Sequence, residues 1–185
     1  ETATNIGVWI KPDKFYTQMF LWAVFREANG QFKKVTMGQL GSPEWHLVEA
    51  EIDDLEFPAE LVALQLFEPT FGAGGTAGSL QLDDIHVSGP VGTNATVLED
   101  FEGALKWAPI PTSAIGEDTV ALMQDGPYAG LRAGVFTFGQ DTIAGVRGFF
   151  VNPTGGPLPV IMSAAMASDI GAGPGSVTTI SVEGA

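Results

Sequence analysis

Along most of the first half of the chain, hydrophobic and polar residues alternate with a period of two, the rhythm of strands rather than helices. Ile6, Val8 and Ile10 fall in one phase and Gly7 and Trp9 in the other, until Lys11-Pro12-Asp13 interrupts the run. From Met19 to Phe25 both phases are apolar, with Phe20, Trp22 and Val24 on one and Met19, Leu21, Ala23 and Phe25 on the other. That predicts a strand covered on both faces, or one whose second face meets a ligand or partner. Asn29-Gly30 supplies the two positive-φ positions of a tight hairpin turn, so Gln31 to Leu40 is the expected return strand. Further strands are predicted at Trp45 to Ile52, at Leu61 to Phe67 after the Phe57-Pro58 break, and at Ser79 to Val87. In the last of these, Leu80, Leu82 and Asp84 share one phase while Ile85 and Val87 take the other.

Residues 88 to 96 are rich in Gly, Pro, Asn and Thr, a composition that marks a boundary between a sandwich over 1–89 and a second, partial β-rich unit over 97–185. The strand rhythm restarts at Val97, and residues 97 to 102 are expected to pair with the first sandwich or with a neighbouring molecule, since an incomplete sandwich leaves open edges. Later strands are predicted at Ala133 to Phe138, Gly145 to Val151, within the apolar stretch 156–163, and at Val177 to Val182. Ser163 is an N-cap for a short helix, Ala164 to Ile170, which Gly171 ends. The expected fold class is all-β, a β-sandwich with a smaller β-rich C-terminal unit that carries one short helix.

Charge narrows the partners. Twenty-two acidic against 8 basic residues give a formal net charge of −14, which repels nucleic acid and anionic bilayers. Lys33 and Lys34 are adjacent on one strand and so point to opposite faces. The chain has no cysteine, which removes disulfides, thiolate nucleophiles and zinc-thiolate sites, and 45% hydrophobic residues suffice for a core without staples. It starts at Glu1 without a charged and apolar leader, and no stretch approaches ~18 apolar residues, so neither a signal peptide nor a membrane span is expected within it. It is expected to be a piece of a longer protein.

The catalytic constellations are missing. The histidines are His46 and His86, both expected to point to solvent, and no G-x-S-x-G elbow or H-E-x-x-H spacing accompanies them. Glu49, Glu51 and Asp53 share one strand face and read as a solvated surface rather than a glycosidase pair. Gly72-Ala73-Gly74-Gly75 lacks the Lys and Ser or Thr of a phosphate loop. The chain is therefore not expected to be an enzyme.

Two resemblances add to this reading. The run from IGVWIKPD through FLWAVFREANGQFKKVTMGQL, EWHLVEAEID and ELVALQLFEP to GSLQLDDIHV, over about residues 6 to 88, resembles the C-terminal two-thirds of jelly-roll modules of the carbohydrate-binding or galactose-binding type. The segment VLEDFEGALKW, residues 97 to 107, is similar to the strand that opens such modules, which extends the resemblance to about residue 102. The resemblance implies a sugar ligand stacked on Trp9 or Trp22, with Trp45 and Trp107 in the core. It also implies a structural Ca²⁺ where the two acidic motifs meet, held by Asp84, Asp100 and Glu102 with Asp83 beside them. The order RGFFV…GPLPVIMSAAMASDIGAGPGSVTTISVEG is similar to extracytoplasmic segments of ABC transporter permeases of the FtsX-like or MacB-like type, although Gly175-Ser176 stands where those have Gly-Asp. The resemblance implies a non-catalytic extracytoplasmic domain of a membrane-associated protein, at the cell surface or in the periplasm. Its partners would be other domains of that protein, a second protein or a carbohydrate. The alternative is a carbohydrate-binding module of a secreted multidomain enzyme.

Overall fold

The computed structural model describes residues 3–68, 77–89, 95–110, 118–139 and 147–152. The alternating stretches of the first half become β1 (Asn5–Pro12), β2 (Phe20–Arg26), β3 (Phe32–Gln39), β4 (His46–Glu51), β5 (Glu60–Phe67) and β6 (Gly78–Ser88). They are followed by β7 (Thr96–Glu99), β8 (Trp107–Pro109), β9 (Thr119–Met123), β10 (Ala133–Phe138) and β11 (Arg147–Val151). No helix occurs among the described residues, and the expected helix at 164–170 and strand at 177–182 lie outside them.

The strands form two antiparallel sheets packed as a β-sandwich. One has the order β4-β1-β6-β10-β9, with β7 also paired to β6, and the other has the order β3-β2-β5-β11-β8. Strands from both sides of residues 88–96 therefore share both sheets. Residues 96–99 pair with β6 through Ile85↔Glu99, His86↔Val97 and Val87↔Thr96. Because β1 runs along the other edge of β6, β7 and β10 share one edge in tandem, β10 against Gly78–Leu82 and β7 against Ile85–Val87.

The core is the layer between the sheets. Ile6, Val8 and Ile10 of β1, Leu80, Leu82 and Ile85 of β6, and Phe136 and Phe138 of β10 meet Leu21, Ala23 and Phe25 of β2, Leu64 and Leu66 of β5, and Phe149 of β11. Each large side chain so buried contributes roughly 1.5–3 kcal/mol. Phe136 and Phe149 bridge the layer with ring centroids 5.2 Å apart. The doubly apolar β2 is accounted for on both faces: Leu21, Ala23 and Phe25 point inward, while Trp22 stacks on Phe67 across the outer face.

The phase change in β6 has a local cause. Opposite β1, the register passes from Trp9↔Asp83 to Gly7↔His86, so β6 carries one residue more than its partner. Asp84, at φ 47°, is that extra residue. The bulge lets Leu80, Leu82 and Ile85 all face the core and turns Asp83 and His86 to the outer face. His86 is nevertheless buried, a departure from its expected solvent exposure. It lies over Gly7, where an added Cβ would sit 2.6 Å from Nε2, and its Nδ1 is 2.9 Å from the Asp84 carbonyl oxygen. A carbonyl only accepts, so Nδ1 carries the proton of that bond.

The two ends of the sandwich differ. At one, Arg147 at the start of β11 reaches across to the other sheet, its Nε 3.1 Å from Asp118 Oδ2 and its terminal nitrogen donating to Gly139 O at 2.7 Å. At the other, where β6 and β11 end, a cavity of about 380 Å³ opens between the sheets, lined by Phe25, Leu61, Val87, Leu98, Trp107 and Val151, among others.

Candidate functional site

Two carboxylates from the acidic motifs organise one surface loop. Asp83 leaves the outer face of β6 next to the bulge and is 1% exposed because residues 126–130 fold over it. Its Oδ1 accepts from Asp84 N at 2.8 Å and its Oδ2 from Ala129 N at 2.9 Å, and the Tyr128 backbone N–H also points to it. Glu102 takes the far side of the same loop: its Oε1 accepts from Leu131 N at 2.6 Å and from Arg132 N at 2.9 Å. Gly130 between them has φ 63°, and a Cβ there would collide with the Glu102 carboxylate.

The clamp sets an aromatic cluster on the outer face of the β4-β1-β6 sheet. Trp9 is the cross-strand neighbour of Asp83 on β1, so the residue that holds the Tyr128 backbone and the residue that holds its ring stand side by side. The Trp9 and Tyr128 rings stack at 3.7 Å with 13° between planes. Trp45, immediately before β4, closes the group at 6.1 Å from Tyr128 and donates its indole N–H to Gly126 O at 3.1 Å. Trp45 is thus a half-buried surface residue, where the resemblance implied a core tryptophan. Trp107 does lie in the core, donating Nε1 to Glu99 Oε2 at 3.2 Å. Tyr128 itself is 43% exposed and presents the outer face of the cluster.

Trp9 and Trp22 are not brought together, since they occupy the outer faces of different sheets. The Trp22 ring is already engaged, stacked on Phe67 at 4.3 Å and with Lys34 Nζ 5.0 Å from its centroid. Two of the residues named for calcium, Asp100 and Glu102, serve as hydrogen-bond acceptors, as does Asp83 beside them. Glu102 Oε1 and both Asp83 oxygens accept backbone N–H groups, and Asp100 Oδ1 accepts from Glu102 N at 3.0 Å in a local turn. Among the described residues, no three acidic or histidine side chains gather where a metal ion would sit. The acidic motifs act here as hydrogen-bond acceptors for loops.

Burial pushes the Asp83 carboxyl's pKa up, opposed by the N–H groups of Ala129, Asp84 and Tyr128. A raised folded-state pKa means that the fold holds this proton more tightly than the unfolded chain does. Its contribution is full below the ordinary aspartate value of about 3.9 and is lost as pH rises through the folded value. Asp83→Ala is expected to remove that slope from the pH dependence of stability. It should also cost about 1–3 kcal/mol by stranding the backbone donors. Chemical denaturation at several pH values checks both. Faster amide exchange at Tyr128 and Ala129, with the core amides unchanged, is the matching local signature.

Tyr128 is the site residue that strand rhythm does not find. The available signal was an aromatic residue inside the turn cluster Asp125-Gly126-Pro127-Tyr128-Ala129-Gly130, where nothing in the core requires one. Comparison with known protein families, with curated proteins and with solved structures finds no match to this chain.

Proposed function

We propose that this chain is a non-catalytic binding module, of jelly-roll type, from the extracytoplasmic part of a larger membrane-associated protein. An ABC transporter permease of the FtsX-like or MacB-like type is the host that its C-terminal segment resembles. The observation that carries the binding role is the Trp9–Tyr128–Trp45 cluster. A surface loop is fixed by two carboxylates and a π-stack so that one aromatic face is presented to solvent in a set position. Such preorganisation lowers the ordering cost of binding. Flat aromatic faces of this kind take up sugar rings or the apolar side chains of a protein. With a net charge of −14, neutral glycans and neutral or basic protein surfaces are the favoured ligands.

The stacked aromatics also favour the second reading, a carbohydrate-binding module attached to a secreted enzyme. The two differ in what flanks the chain in its gene, transmembrane spans and a permease core in one case and a hydrolase in the other. The site is tested separately. Affinity electrophoresis and calorimetry with soluble neutral polysaccharides should show binding that Tyr128→Ala abolishes and Trp22→Ala leaves intact. The Tyr128 change should cost only about 0.5–1.5 kcal/mol of stability, the value of one aromatic pair. Retention of binding by Tyr128→Ala would remove the cluster from consideration. Absence of glycan binding, together with a protein partner whose capture depends on Tyr128, would assign the surface to protein contact.

A further inference from the structure

We propose that the open end of the sandwich is a binding site for a small apolar molecule carrying a hydrogen-bond donor, an aliphatic amine or alcohol. This site lies between the sheets and is independent of the outer-face aromatic cluster. Its cavity of about 380 Å³ is far larger than a packing defect that one water would fill, about 30 Å³. It falls within the range of about 300–1,000 Å³ of small-molecule pockets. The wall draws on both sheets: Val87 and Leu98 from one, Phe25, Leu61, Trp107 and Val151 from the other. Leu98 and Phe57 remain 46% and 37% exposed at its rim, apolar surface that an occupant would cover.

The polar group set into this wall is Glu99, which is 9% exposed. Its Oε1 accepts from Phe101 N at 3.0 Å and its Oε2 from Trp107 Nε1 at 3.2 Å. A carboxylate has about four lone-pair sites, so each oxygen retains one to offer a ligand donor. The other charges in the lining are Glu60, tied to Arg26, and the exposed Lys106. The buried Glu99 carboxylate, in a chain of net charge −14, favours a cationic or neutral head over an anionic one. The ligand lays its hydrocarbon along Phe25, Leu61 and Trp107 and turns its N–H or O–H to Glu99.

The test uses octylamine, 1-octanol and octanoate, whose hydrocarbon is the same and whose heads differ. By calorimetry on the full chain, below micelle-forming concentrations, octylamine and octanol should bind one saturable site with Kd below about 1 mM, and octanoate at least about tenfold more weakly. Leu98→Ala removes an exposed wall residue, so the fold should persist while affinity falls about threefold to tenfold. Leu61→Trp, which fills the cavity, should abolish binding and is judged alongside Leu98→Ala in case the larger side chain disturbs the fold. The proposal is overturned if no probe saturates, if octanoate binds as well as octylamine, or if binding survives Leu98→Ala unchanged. Sedimentation showing that a second copy of the chain closes this end and blocks the probes would overturn it as well.

Discussion

Asp118→Ala is expected to lower stability by about 3–5 kcal/mol, because it removes the carboxylate that meets a buried guanidinium directly. The Arg147 and Asp118 side chains are each only 8% exposed and meet at 3.1 Å. Burial lowers the Arg147 pKa while Asp118 holds it up. The pair does more than neutralise charge. Asp118 Oδ1 also accepts from Gly139 N at 3.2 Å, and the guanidinium carbon sits 5.3 Å from the Phe138 ring centroid. One carboxylate therefore ties the lead into β9, the end of β10 and the start of β11, joining the two sheets. Replacing both partners with hydrophobic residues of similar volume, Asp118→Leu with Arg147→Met, should cost less than either single change, since no charge is then stranded. Urea unfolding of the two single variants and the double variant closes the cycle. A double variant as unstable as the sum of the singles would show that the ion pair is not the element holding this end.

Phe149→Ala is expected to cost a comparable amount, about 3–5 kcal/mol, through the cavity it leaves. Phe149 is 1% exposed and belongs to β11, a strand of five residues inserted between β5 and β8. Its ring meets Trp107 edge-on at 5.3 Å and Phe136 of the opposite sheet at 5.2 Å. Removing it takes away contacts within one sheet and between the two at once. Next to it, Gly148 packs so closely on the Leu64 carbonyl that a side chain there would displace β11, and the strand has little freedom to collapse into the void. Phe149→Leu, which keeps most of the volume, should cost far less. At this chain length each kcal/mol corresponds to about 2–4 °C, so Phe149→Ala should lower Tm by about 6–20 °C in a thermal scan.

These residues show which parts of the architecture can be read from a linear string. Period-two alternation locates β1 and much of β6 because each has one face on the core, an apolar run locates β2, and Asn29-Gly30 locates the first hairpin and its return strand β3 because few other pairs accept that turn. Alternation misplaces Asp84. A strict count sets it inside with Leu80 and Leu82, and only the bulge opposite Gly7–Trp9, a property of two strands together, removes it. The Leu-Asp-Asp-Ile motif was legible as special but not as a clamp, since the loop N–H group that Asp83 Oδ2 holds comes from Ala129, 46 positions further along. The same applies to Glu102 and Leu131. Trp9 could be named from its strand, whereas Tyr128 and Trp45 join it only once β10 has brought its preceding loop over β6. The cavity leaves no trace in composition at all, because its wall is ordinary core sequence.

The strand order also bears on how the polypeptide emerges during synthesis. By the end of β6, the partners of the β5–β2 and β6–β1 pairs have all been made, but the far edges of β5 and β6 await β11, β10 and β7. About 60 further residues must be made before the last of these arrives, a delay of roughly 3–12 s at about 5–20 residues per second. Through that interval a nascent chain exposes two apolar strand edges at once, each able to accept a strand from another molecule. Early β7 shields half of the β6 edge. Among the described residues β5 has no such early cover, and its edge is where misassembly during synthesis should begin.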